Sequence, residues 1–187
     1  MGYPTFSLGD KWEPTDANAV GLWKIQTKTV TNQSEVTFDN VFTSSYLNYL
    51  VTFAVSSCTS SNVISWQERV GGVNATTSYS YAGTGIYLSA GSGFQNILAG
   101  QNISSGAVGS FDGASGSSGH AVFEIHSPAT SAYTSVTGRS SMATGNTGMY
   151  FVNMGSVHYV STLYDGFRLF VSSGSFTAET TVYGYRK

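Results

Sequence analysis

The sequence predicts an all-β protein, an antiparallel β-sandwich of jelly-roll type, and three observations carry that expectation. Thr, Val, Tyr and Phe are plentiful while strong helix formers are scarce, the usage of pleated, half-buried surfaces. From Leu22 onward apolar residues recur at period two in short runs. Between the runs stand most of the 22 glycines and 29 serines, the residues of turns.

Residues 1–21 form a separate N-terminal arm, and 22–187 the sandwich domain. The arm holds two of the three prolines, Pro4 and Pro14, and the charges Asp10, Lys11, Glu13 and Asp16. Thr15 is placed to cap one helical turn over Asp16 to Val20, which Gly21 stops. In the domain, Trp23 and Ile25 alternate with Lys24 and Gln26 in a first strand. Val36 and Phe38 mark a second. Tyr49, Val51, Phe53 and Val55 form one face of a long third strand, and Leu50, Thr52, Ala54 and Ser56 the other, so it is expected to be central and covered on both sides. Val63 to Val70 is a strand broken by Gly71-Gly72. Ser78 to Ala82, Ile86 to Ser89 and Phe94 to Leu98 read as three short pieces among glycines. The run 104–119, almost all Gly, Ser and Ala, reads as a long exposed loop. Ala121 to His126 is a strand ended by Pro128, followed by Tyr133 to Arg139, Met149 to Met154 and Val157 to Val160. Asp165-Gly166 reads as a turn, Phe167 to Val171 as a strand, Ser172-Ser173-Gly174 as a turn, and Thr180 to Tyr185 as the closing strand. The total is eight to ten strands.

The same composition excludes several functions. Eight Lys and Arg against ten Asp and Glu leave a net charge of −2, too small and too mixed to hold nucleic-acid phosphates. With 41% hydrophobic and 14% aromatic residues the chain fills a core, so disorder is not expected. No apolar run approaches the roughly 18 residues of a membrane helix, and MGYPTFSLGDKWEPTD lacks the basic end and apolar stretch of a signal peptide. The single cysteine, Cys58, makes no internal disulfide and reads as a small buried hydrophobe.

Chemistry-bearing patterns are sparse, and no enzyme, cofactor or metal centre is expected. Phosphate-loop, zinc-protease and nucleophile-elbow motifs are lacking. Glu124 and His126, two apart, share a strand face and could supply half a metal site, but read as a solvated polar face. His158 and Asp165 could join one of 29 serines in a triad only by coincidence. Glu35, Asp39, Glu68, Asp112, Glu124, Asp165 and Glu179 are too scattered to suggest the paired acids of a glycosidase. Three Asn-x-Ser/Thr matches, at Asn32, Asn74 and Asn102, carry no weight without a secretory route.

Two stretches resemble a known family. Phe6-x-x-Gly9-Asp10 followed by Pro14-Thr15-Asp16-Ala17-Asn18-Ala19-Val20-Gly21-Leu22-Trp23 is similar to the N-terminal arm of small β-sandwich virion proteins of tailed bacteriophages, common in marine and cyanobacterial phages. Asp165-Gly166-Phe167-Arg168-Leu169-Phe170-Val171, with Ser175-Phe176-Thr177 and Val182-Tyr183-Gly184-Tyr185, resembles their closing hairpin. Val36-x-Phe38-x-Asn40-Val41-Phe42-Thr43-Ser44-Ser45-Tyr46-x-x-Tyr49 is similar to their second and third strands, whereas residues 73–119 have no counterpart. The resemblance implies a non-enzymatic protein on the exterior of the virion, found as a tail-fibre or tail-tip adhesin component or as a head-decoration protein, the tail slightly favoured. The expected partners are further copies in a homotrimer, a tail or major capsid protein, and a host surface glycan. Tyr3, Phe6, Leu8, Trp12 and Trp23 are the expected docking residues, since aromatic anchors dominate interfaces. The arm could equally fold back on its own sandwich. Trp66, Tyr79, Tyr81 and Phe111 are the candidate receptor surface, and they are also what a free carbohydrate-binding module, the second alternative, would use.

Overall fold

A computed structural model describes residues 21–60, 62–89, 92–111, 118–144 and 148–186. The predicted arm with its helical turn lies outside them. Thirteen strands follow one another: β1 Leu22–Gln33, β2 Glu35–Phe38, β3 Tyr46–Cys58, β4 Asn62–Val70, β5 Val73–Asn74, β6 Tyr79–Ser89, β7 Ser92–Ile103, β8 Gly106–Phe111, β9 Gly119–His126, β10 Thr134–Thr144, β11 Gly148–His158, β12 Gly166–Phe170 and β13 Phe176–Arg186. They make two antiparallel sheets, a β-sandwich. The larger has the order β1-β13-β3-β9-β10-β11-β6-β7, and the smaller β2-β12-β4-β5 with β8 also paired to β4.

Period two sorts the side chains. Along β11, Tyr150, Val152, Met154, Ser156 and His158 are buried, while Met149, Phe151, Asn153, Gly155 and Val157 are wholly or partly open. The inward rows of both sheets meet in one core, where Phe167 stacks between Phe38 at 5.1 Å and Phe42 at 5.6 Å, and Phe53 meets Phe176 edge-on. Cys58 is buried there as expected. The predicted central strand is β3, flanked by β13 and β9. Its outer row, Leu50 and Thr52 half-buried and Ala54 and Ser56 exposed, faces no second layer among the described residues, which corrects the expected double cover there.

Small residues account for the other departures. The loop expected over 104–119 contains β8, in which Ala107, Val108 and Ser110 are buried. Its glycines serve close packing rather than flexibility: a Cβ on Gly106 would overlap Trp66 Nε1 and Ser156 Oγ, and one on Gly109 would lie 2.9 Å from Ser140. The three short pieces expected between Ser78 and Leu98 are two long strands, β6 and β7. Gly83 and Gly85 do not break β6, because a Cβ there would run into Asn153 O and the Tyr150 ring of β11. The two pieces expected over 149–160 are one strand, β11, continuous in register with β10 and β6. Gly166 is no turn residue but the first of β12, pressed against Phe38 O. Gly71 and Gly72, at φ 56° and 78°, do make the expected turn, a two-residue hairpin from Val70 to Val73.

Replacing Gly106 by Val forces a side chain into the Trp66–Ser156 contact. Unfolding in urea is expected to show a loss of about 1–3 kcal/mol, the usual penalty of overpacking. An unchanged midpoint would mean that β8 does not press on the core.

Candidate functional site

The second half of β11 presents two different surfaces at once. Inward, His158 Nδ1 lies 2.6 Å from Glu68 Oε2 of β4, both side chains fully buried. His158 Nε2 lies 3.1 Å from the Thr77 carbonyl, which can only accept, so this nitrogen carries a proton. Burial pushes the Glu68 carboxyl above the ordinary carboxylate range, and the His158 hydrogen bond offsets this only in part. The imidazole stacks on Tyr79 at 4.1 Å. The Tyr79 hydroxyl accepts from Glu68 N at 2.9 Å and donates to Ala75 O at 3.2 Å. Beside this cluster Trp66 Nε1 donates to Ser156 Oγ, which donates to Ser80 O, each at 3.1 Å. Buried out of reach of substrate, the group is a clamp between the sheets rather than a catalytic centre. The pair went unnoticed in the sequence because its members stand 90 residues apart. One clue was there: Ile64, Trp66 and Glu68 alternate, which puts the acid on the core face.

Outward, the same strand floors a trough. Gly155 lies between Thr137 of β10 and Ala82 of β6, and Ala82 pairs with Ala99 of β7. This row of small residues leaves a hollow of about 720 Å³, bordered by Ser80, Gln101, Ser135 and Tyr159. A second hollow of about 570 Å³, bordered by Thr84, Ile97 and Asn153, continues it. Tyr159 packs edge-on against Tyr133 at 5.7 Å, and both rings are about half open to solvent. On the flank of the trough, Glu124 stands next to Thr137 and Arg139 next to Asn153.

A third feature is the free edge. β7 ends the large sheet, and its twelve residues include no charge. β8 lies against β10, β11 and β6, and β7 projects past it. Phe94 is therefore 60% and Ile97 82% exposed, on opposite faces, with Ile86 and Leu88 open beside them. The other edge, β1, carries Lys24 and Lys28.

The predicted site residues are dispersed. Trp66 and Tyr79 are fully buried in the core and cannot form a receptor surface, which corrects that expectation: their period-two position faces inward. Tyr81 is half-buried and points inward against Gly100. Phe111 ends β8, and its side chain lies outside the described residues, as do Tyr3, Phe6, Leu8 and Trp12. Trp23 is half-buried on β1. Glu124 and His126 are 3.7 Å apart and partly open, and Tyr185 donates its hydroxyl to Glu124. That hydrogen bond to a carboxylate, assisted by burial, pushes the Tyr185 phenol up to about 12. Among the described residues no three His, Cys, Asp or Glu side chains are grouped to hold a metal.

Glu68→Ala is expected to lose about 3–5 kcal/mol, since it leaves His158 unpaired in the core. Glu68→Gln should retain most of the stability by donating its amide to Nδ1. Because the folded carboxyl titrates above its ordinary 4.5, the folded state holds more protons than the unfolded one just above that value. The stability of the wild type relative to Glu68→Gln should therefore fall as pH rises from about 4.5, and denaturation at several pH values reads the slope. A slope of opposite sign would mean that the carboxylate is the favoured form. No protein-family model and no curated protein matches the chain.

Proposed function

We propose that this chain is a non-enzymatic structural protein on the exterior of a tailed-phage virion, a tail-fibre or tail-tip component in preference to a head-decoration protein. The observation that carries the reading is the undefended β7 edge. A long edge strand offers a row of unpaired N–H and C=O groups, and proteins that stay apart blunt such edges with Lys, Pro or bulges. Here Ser92 to Ile103 has no charge and no proline, exposes Phe94 and Ile97, and keeps regular register from Ser92 to Gly100, its one bulge lying between Gly100 and Ile103. Such an edge suits a protein that works by joining copies of itself. An interface made by two different edges of one subunit closes into a ring, which agrees with the homotrimer expected from the family resemblance.

Strand order supports the finer fold assignment. β1-β13-β3-β9 in one sheet facing β2-β12-β4-β8 in the other is the arrangement of an eight-stranded jelly roll, with β5 to β7 and β10 to β11 inserted. Viral capsid and lectin domains use this architecture. That support is an analogy of fold, which by itself does not fix a role.

Gold-labelled antibody on purified phage particles tests the location by electron microscopy. Label on the tail is expected; label over the head would move the protein to the decoration class, and unlabelled particles would overturn the virion reading. The edge is tested by Phe94→Lys/Ile97→Lys. Sedimentation should show oligomers for the wild type and monomers for the variant, with melting temperatures within about 2 °C of each other, since both side chains are exposed.

A further inference from the structure

We propose that the trough over Gly155 is a binding site for a short neutral saccharide, and this stands whether or not the protein belongs to a virion. The starting point is a glycine without an internal reason. A glycine inside a strand weakens it, and marks a bulge, a close internal contact or the approach of a ligand. The register runs unbroken through Gly155 on both sides, Thr137↔Gly155 and Gly155↔Ala82, so there is no bulge. Its φ is not in the left-handed region, and a Cβ there would find its nearest neighbour, Ala82 O, 3.9 Å away. The contrast with Gly83, Gly106 and Gly138 is direct, since each of those is held against another part of the chain. What a larger side chain at 155 would fill is the trough.

The lining defines the ligand. Ser80, Gln101, Ser135, Thr137 and Asn153 offer hydroxyl and amide groups, and none of the lining side chains is charged. Phosphates, nucleotides and acidic ligands find no counter-charge on the floor. The hollow is open above, so a wholly apolar ligand would keep too much of its surface in water. A saccharide matches both conditions. Its hydroxyls take Ser, Thr, Gln and Asn partners, its C–H faces pack on an aromatic ring, and it tolerates a half-open site. Tyr159 supplies that ring at one end, 48% exposed and steadied by Tyr133 and by its own N–H bond to Ser78 O at 2.9 Å. The volume of about 720 Å³ falls within the range of small-molecule sites. The buried clamp fixes the strand from beneath, so the floor is rigid before ligand arrives.

The test uses the full chain against an array of neutral gluco-, galacto-, manno- and N-acetylhexosamine oligosaccharides, followed by calorimetry on those retained. At least one is expected to bind, and Gly155→Val and Tyr159→Ala should each weaken it by at least about tenfold. Gly155→Val should melt at or above the wild-type temperature, because the side chain enters open space. Saturation-transfer NMR on the wild type should place the sugar protons against a tyrosine ring that is lost in Tyr159→Ala. The proposal fails if no oligosaccharide of the panel binds at about 10 mM, or if both variants bind as the wild type does. The single variant Phe94→Lys, which alters the edge on the face away from the trough, should bind saccharide normally; loss of binding there would place the site between copies and overturn the proposal.

Discussion

The contact between Glu68 and His158 is the constraint on which the enlarged sheet depends. The half of the sandwich around β3, β13 and β12 holds together mainly by aromatic and aliphatic packing. Beyond β9 the large sheet runs on for four strands, and the small sheet offers them only β4 and the short β8. There an apolar cluster of Ala107, Tyr150, Val152 and Met154 is supplemented by a polar join. The carboxyl of β4, the imidazole of β11, the Thr77 carbonyl before β6 and the Tyr79 hydroxyl on β6 each limit where the others can sit. A buried polar group with one partner displaced is more costly than an apolar mismatch, so the cluster admits few alternative registers.

Most of the all-β fold was legible because period two survives wherever a strand has one wet face. The rows Tyr49-Val51-Phe53-Val55 and Ala121-Phe123-Ile125 both face the core. What misled was glycine, which has two opposite meanings in a strand. At 71–72 it makes a turn; at 83, 85, 106 and 109 it lets two layers touch. Only the neighbour in space separates these cases, and that neighbour lies far away in sequence. The candidate site was hidden for the same reason. A trough is an absence of side chains on three strands, and Gly155, Ala82 and Ala99 mean nothing until register aligns them. Trp66 and Tyr79 were chosen for their aromatic character, whereas alternation with Ile64 and Glu68 already turned Trp66 inward.

The features that could meet another molecule lie on β6, β7, β10 and β11. β6 and β7 enter the chain between β4 and β8, β10 and β11 between β9 and β12, and together they carry the free edge and the trough. The strands around β3 and β13 carry most of the aromatic core, and these four carry the open surfaces. This division leaves edge and trough free to vary without disturbing the Phe38–Phe167–Phe42 stack at the other end.

Leu22 pairs with Tyr185, so the domain's two ends emerge side by side at the β1 edge. Seven strand spacings separate them from β7, about 34 Å at the usual 4.8 Å per strand. A peptide, dye or enzyme spliced beyond either end would therefore stand a molecule's width from the β7 edge, with the groove beginning four strand spacings from β1, at β10. The chain has the geometry of a display scaffold, with cargo on the β1 rim and the β7 rim left clear.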